Sequence, residues 1–240
     1  MEAGAYIPHL RADGDALASA ADGNFEARVT GCPEWMVGDL VEHTGEVHRF
    51  WAQVAERRLQ SHEDVQRSEL PPDDRLLDWF REGTEHLASV LENTDGSVPV
   101  WSWSNQKDVA FVKRRMAQET TVHRWDAQDA AGRAQDIDAE LAADGIDELL
   151  DIFVPVEDAP LKGDGETIHL HSTEGAGEWL LTLTPKGIEV ERDHRKGDAA
   201  IRGGASDLLL LMWRRVPTSS VEILGDNALA ERFLSWIDLT

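Results

Sequence analysis

The chain has 240 residues, 41% of them hydrophobic, and nine tryptophans, enough to bury the core of one large domain or two small ones and too apolar for a disordered chain. Its 46 acidic residues against 23 basic ones give a formal net charge of -23, which argues against nucleic acid or an anionic membrane surface as a partner and reads as a solubility adaptation. A single cysteine, Cys32, excludes an intrachain disulfide and fits a reducing compartment.

Residues 6–21 have helical composition, with Leu10 and Leu17 on one apolar face. Residues 36–59 place Met36, Leu40, Val47, Trp51 and Val54 at steps of three, four and seven, which predicts an amphipathic helix. His43 lies within that stripe, whereas His48, five residues on, is expected at the surface or rim. Residues 72–93 follow Pro71 and Pro72 and carry Asp73 and Asp74 in the first turn, as a helix start prefers. Residues 107–131 form a further helix ending near Gly132, and 137–153 a shorter one. Long amphipathic segments of this kind predict an antiparallel four-helix bundle. Trp101 and Trp103 share a face if the chain is extended there, for core filling or for lining a pocket.

The periodicity changes after Pro155. Thr167–Ser172, Trp179–Thr184, Gly187–Arg192 and Ala199–Arg202 alternate as strands do, with a hairpin turn at Pro185-Lys186. Ser206 and Asp207 offer an N-cap for a helix over Leu208–Arg215. Val221–Leu224 is a last strand and Asn227–Ile237 a last helix. The expected class is α+β, with a helical domain over 1–155, a small α+β domain over 156–240, and Val156–Gly165 as the linker. The N-terminus has neither the basic nor the apolar region of a signal peptide, and no apolar run is long enough to span a bilayer, so a cytoplasmic location is expected.

Chemistry concentrates in His43, Glu119 and His123. Glu119 and His123 stand four apart, one turn up the same helix face. That face, Val112, Met116, Glu119, His123, Asp126 and Ala130, carries apolar residues at its ends and therefore points inward. Carboxylates there must be paired or metal-bound, because burying a lone charge is costly. Two imidazoles and a carboxylate from two helices fit a metal site with an open position, and they equally fit an internal Glu–His–Asp network without metal. Asp126, one turn beyond His123, is a candidate for orienting an imidazole. His169 and His171 alternate on one strand face and could contribute to a second metal site. Phosphate-binding loops, a nucleophile elbow and Cys-x-x-Cys are absent.

Several segments together resemble the mycothiol-dependent maleylpyruvate isomerase family of actinobacteria. They are Cys32-Pro-Glu-Trp-Met-Val-Gly-Asp-Leu-Val-Glu-His43, Arg114-Arg-Met-Ala-Gln-Glu-Thr-Thr-Val-His-Arg-Trp-Asp126, His169-Leu-His171, Glu178-Trp-Leu-Leu181, Arg202 through Arg215, and Val221-Glu-Ile-Leu-Gly-Asp226, in the family's order. The resemblance implies a DinB-like bundle followed by a sterol-carrier-protein-like α+β domain. It implies that His43, Glu119 and His123 bind a divalent metal, zinc by preference, although histidine and carboxylate ligands also suit iron, nickel and cobalt. It further implies that an arginine of the C-terminal domain, matching Arg215 best with Arg214 as the alternative, acts in catalysis. One departure is Trp35-Met36, where the family has Trp-Thr, which weakens a helix cap. The function so implied is an isomerase of maleylpyruvate type or a thiol S-transferase, with mycothiol as cosubstrate; separately, a monomer or weak homodimer is expected. The rival expectation is a non-enzymatic protein that binds a small ligand or lipid at a degenerate site.

Overall fold

The structure, a computed structural model, describes residues 1–154, 162–175 and 177–237. They fall into two compact units, Met1–Gln135 and Asp136–Thr240.

The first unit is a bundle of α1 (Tyr6–Ala21), α2 (Val37–Glu56), α3 (Leu76–Glu92) and α4 (Val109–Ala130). α1 packs chiefly on α4, and α2 on α3. The start of α2 is fixed by Asp39, whose carboxylate accepts the Met36 N–H at 2.8 Å, so half of a capping box survives without a side-chain hydroxyl. The start of α4 is fixed by Asp108, which accepts the Phe111 N–H at 3.0 Å. Leu10, Leu17, Leu40, Phe80, Leu87, Leu91 and Phe111 are fully buried between the helices.

α4 is buried almost all round, although much of it is polar. Several of its interior polar groups are paired. Arg124 donates to Gln128 at 2.9 Å and to the Gln135 carbonyl at 2.6 Å, and pairs with Asp13 at 3.2 Å. A helix so enclosed can carry ionisable groups into the bundle interior.

The second unit holds a five-stranded sheet in the order β3-β2-β1-β4-β5. Its strands are β1 (Thr167–Ser172), β2 (Glu178–Thr184), β3 (Gly187–Glu191), β4 (Ala199–Gly203) and β5 (Glu222–Gly225). β1 pairs parallel to β4, and the other neighbours are antiparallel. Pro185 and Lys186 make the β2–β3 turn, which closes on Gly187 at φ 131, a conformation that a side chain would strain. The helices are α5 (Ala139–Glu148), extended by one π-helical stretch over Leu149–Phe153, with α6 (Ala205–Met212) and α7 (Asn227–Trp236). Trp179, Leu181, Leu209 and Phe233 anchor this core. No helix among the described residues is long and apolar enough to cross a membrane.

Two expectations shift. The division falls at Gln135/Asp136 rather than after residue 155, because α5 packs on α6 and belongs to the sheet-bearing unit. Asp147, on α5, accepts the Trp179 indole N–H at 2.8 Å and pairs with Arg192 at 2.7 Å. Helical periodicity reports a helix without reporting which unit covers its apolar face. Residues 156–161 of the expected linker lie outside the described residues, whereas Gly163 and Gly165 donate to the Thr184 and Leu183 carbonyls and so continue the β1–β2 pairing ahead of β1. The second shift is at α6, which begins at Ala205, so that Ser206 and Asp207 lie inside it rather than capping it. The Ser206 hydroxyl accepts the Ile137 N–H at 2.9 Å instead.

Candidate metal centre

The three residues singled out by spacing converge. Glu119 Oε1 lies 3.3 Å from His43 Nε2 and 3.2 Å from His123 Nε2. The two imidazoles meet edge to face, with ring centroids 5.5 Å apart. Ligands about 2.1 Å from a tetrahedral ion lie about 3.4 Å apart, so these separations fit the edges of such a site.

Each member is held by a neighbour. His123 Nδ1 is 3.0 Å from Asp126 Oδ2, and the Asp126 side chain is wholly buried. Glu119 Oε2 accepts from Arg115 Nη2 at 3.0 Å, which leaves Oε1 for the imidazoles. Trp35, from the loop before α2, packs against His43 at 4.7 Å between centroids and against His123 at 6.3 Å.

Asp126 accepts only, so His123 carries its proton on Nδ1, and in the neutral ring Nε2 presents a lone pair. That lone pair faces a carboxylate oxygen, another acceptor. The contact is favourable with a second proton on the ring or with a cation between the two atoms. The first response appears in the electrostatics. Burial disfavours a charge on His123, yet the Asp126 and Glu119 carboxylates raise its pKa to about 9. Burial pushes the Glu119 carboxyl up, but His123, His43 and Arg115 hold it well below the usual range. The donor set of two imidazole nitrogens and one ionised carboxylate therefore fits a divalent cation.

The centre is half open. His123 is 7% exposed, but the His43 side chain is 38% exposed. Beside His43 runs a cavity of about 420 Å³, walled by Glu46, Val47, Phe50 and Trp51 of α2 and by the segment from His62 to Ser68. It adjoins His43, the most exposed of the three.

His43 thus sits at the border of its helix's apolar face rather than within it, since Leu40, Val41 and Thr44 are the fully buried neighbours. His48 departs further from expectation. It is fully buried, with Nδ1 3.0 Å from the Thr84 hydroxyl and Nε2 2.8 Å from the Thr120 hydroxyl. A second stripe, Val41, Thr44, His48, Ala52 and Ala55, is also buried, so the inward face of α2 is wider than the periodicity alone suggests. Arg115 was legible in principle, since it stands four before Glu119 in a helix. Trp101 is partly buried and stacks on Trp51 at 5.8 Å, while Trp103 is 48% exposed.

Arg214 and Arg215 belong to the second unit. Arg214 follows α6 in a left-handed conformation, φ 58, and donates to the Ser235 and Ile237 carbonyls at the end of α7, at 2.9 and 3.2 Å. It thereby ties the two helices together. Arg215 Nη1 donates to the Trp213 carbonyl at 2.8 Å.

Two protein-family profiles match the chain. That of the mycothiol maleylpyruvate isomerase N-terminal domain covers residues 7–128, and that of the MDMPI C-terminal domain covers residues 140–232. The interval between them brackets Gln135/Asp136. Among solved structures, a mutant form of the mycothiol-dependent maleylpyruvate isomerase superposes with a TM-score of 0.62 at 10% identity, over 93% of both chains. Another crystal structure of the mycothiol-dependent maleylpyruvate isomerase superposes with a TM-score of 0.60 at 11% identity, again over 93% of both. At these identities they share the fold. No curated protein matches the chain.

Proposed function

We propose, because the chain belongs to the mycothiol maleylpyruvate isomerase family, that it is a metal-dependent enzyme using a low-molecular-weight thiol, with mycothiol as cosubstrate. His43, Glu119 and His123 would hold a divalent ion, zinc by the nature of the donors. A divalent ion in that position lowers the pKa of a thiol enough to make the thiolate available near neutral pH.

This chain's residues do the rest. Asp126 fixes the His123 tautomer so that Nε2 points at the centre. Arg115 neutralises and orients the far oxygen of Glu119. The cavity beside His43 has apolar walls at Val47, Phe50 and Trp51 and polar groups at Gln66, Arg67 and Ser68, a lining suited to a polar thiol with an organic substrate. On the family resemblance, Arg215 is the arginine we assign to the substrate carboxylate or the developing enolate, with Arg214 as the alternative.

The reaction we favour is isomerisation of maleylpyruvate type. A thiolate sulfur adds to the double bond, the resulting single bond rotates, and loss of the same sulfur yields the trans isomer and returns the thiol. Transfer of the thiol to another electrophile is the same first step without the elimination.

The observation that carries this reading is the His123–Asp126 contact, which turns a lone pair toward Glu119 beside the partly exposed His43. The test has two parts. Elemental mass spectrometry should find an ion that His123→Ala protein loses from this centre, and cis-to-trans conversion of maleylpyruvate should require both mycothiol and an intact His123. Thiol-dependent turnover at full rate in the His123→Ala variant would overturn the assignment.

A further inference from the structure

A second group of metal-binding side chains stands in the sheet-bearing unit. His169 and His171 are two apart on β1, so both project from one sheet face, opposite buried Ile168 and Leu170. Glu178 opens β2 directly across from His171 in the antiparallel register. His194 follows β3 and folds back over the same face, its ring 5.1 Å from that of His169 and 5.6 Å from that of His171. Each of the four side chains offers a donor atom, and these atoms all lie within 4.8 Å of one another.

We propose that His169, His171, Glu178 and His194 form a second site, for a divalent transition-metal ion of zinc-like preference. Glu178 Oε2 lies 2.5 Å from His169 Nε2, and Oε1 lies 3.1 Å from His194 Nδ1. These two hydrogen bonds engage both carboxylate oxygens. His171 Nδ1 is the exception. It comes within 2.7 Å of Glu178 Oε1, yet it is buried and its orientation makes no hydrogen bond. A cation among the four donors would engage that buried nitrogen directly. Three imidazoles and one carboxylate complete a four-coordinate shell, which leaves no open position and marks a structural rather than a catalytic ion. Such an ion ties the start of β2 to β1 and pins the segment after β3, where His194 is the most exposed member, its side chain 71% accessible.

The site rests on none of the residues of the bundle centre, so the two can be read separately. Chelator-stripped, tag-free full-length protein is titrated with Zn²⁺, followed by calorimetry and elemental mass spectrometry, beside His123→Ala and the double variants His123→Ala/His194→Ala and His171→Ala/His194→Ala. His194 is exposed, so its replacement leaves the fold intact, and circular dichroism checks this in each case. The expected result is a Zn²⁺ ion retained by His123→Ala protein and lost on adding His194→Ala, with a Zn²⁺-dependent rise in melting temperature that disappears with it. If the wild-type stoichiometry and the zinc-induced rise are unchanged in His171→Ala/His194→Ala protein, or if His123→Ala protein takes up no zinc while circular dichroism shows it folded, the proposal is overturned.

Discussion

His123 and Asp126 stand one helical turn apart on α4 and meet through Nδ1 and Oδ2 at 3.0 Å, with the carboxylate wholly buried. The contact decides which imidazole nitrogen is available to the centre. An Asn at 126 keeps the volume but removes the charge, and its amide can donate to the ring and reverse the tautomer. Asp126→Asn should weaken zinc binding at the bundle centre by about 10–100-fold while the fold persists, as changes to such supporting carboxylates do elsewhere. Competition titration against a chelator measures it, and an affinity equal to wild type would remove Asp126 from the site.

Arg215 is tested by kinetics. Arg215→Ala should lower kcat in the thiol-dependent assay by about 10²-fold, the scale for losing one charge-assisted contact to a developing negative charge. Its metal content should match wild type. Arg215→Lys should recover part of the rate, because it restores charge without the planar fork. A rate unaffected by either change would point away from Arg215.

His48 gives the fold a dependence on acid. Burial is the leading cause that pushes its pKa from the ordinary 6.5 down to about 3, against the opposing pull of Glu119. The unfolded chain takes up the proton below about 6.5 and the fold only below about 3, so in that window the unfolded state holds more protons. The contribution of neutral His48 is therefore complete above pH 6.5 and is lost as the pH falls toward 3, by at most about 1.4 kcal/mol per pH unit. Urea unfolding between pH 7 and pH 4 should show a shallower acid loss in His48→Gln protein. Parallel profiles for the two would reject this role.

Gly45 lies two residues beyond His43, where α2 meets α3. A Cβ there would run into the Trp79 ring, which cannot swing away because the Arg49 guanidinium stacks on it at 3.8 Å. Gly45→Ala should destabilise the bundle by about 1–3 kcal/mol, as overpacking does, despite the better helix propensity of alanine. Denaturant unfolding reads this directly, and a stabilised variant would show that α2 and α3 can part at no cost.

The helices and strands were legible because their periodicities are long and regular, and α1 and β1 run as read, Tyr6–Ala21 and Thr167–Ser172. The pairing of Glu119 with His123 was legible because a helix fixes where residues four apart must lie. What stayed hidden depends on partners distant in sequence. Thr84 and Thr120 are what make His48 an interior residue, and neither is near it in the chain. Glu178 meets His171 only through strand register, and His194 reaches them only because the chain turns back after β3. The apolar face of α5 says that something must cover it without saying that α6 does.

That last point bears on how the protein can be taken apart. A fragment ending at residue 155 would retain α5 while discarding α6 and β2, leaving Leu141, Ala142, Ile146 and Leu149 with their cover removed. Such a fragment would present a sticky helix and aggregate. One that stops between Gly132 and Asp138 cuts the chain at the boundary of the two compact units, and the same cut gives the sheet-bearing half its own first helix.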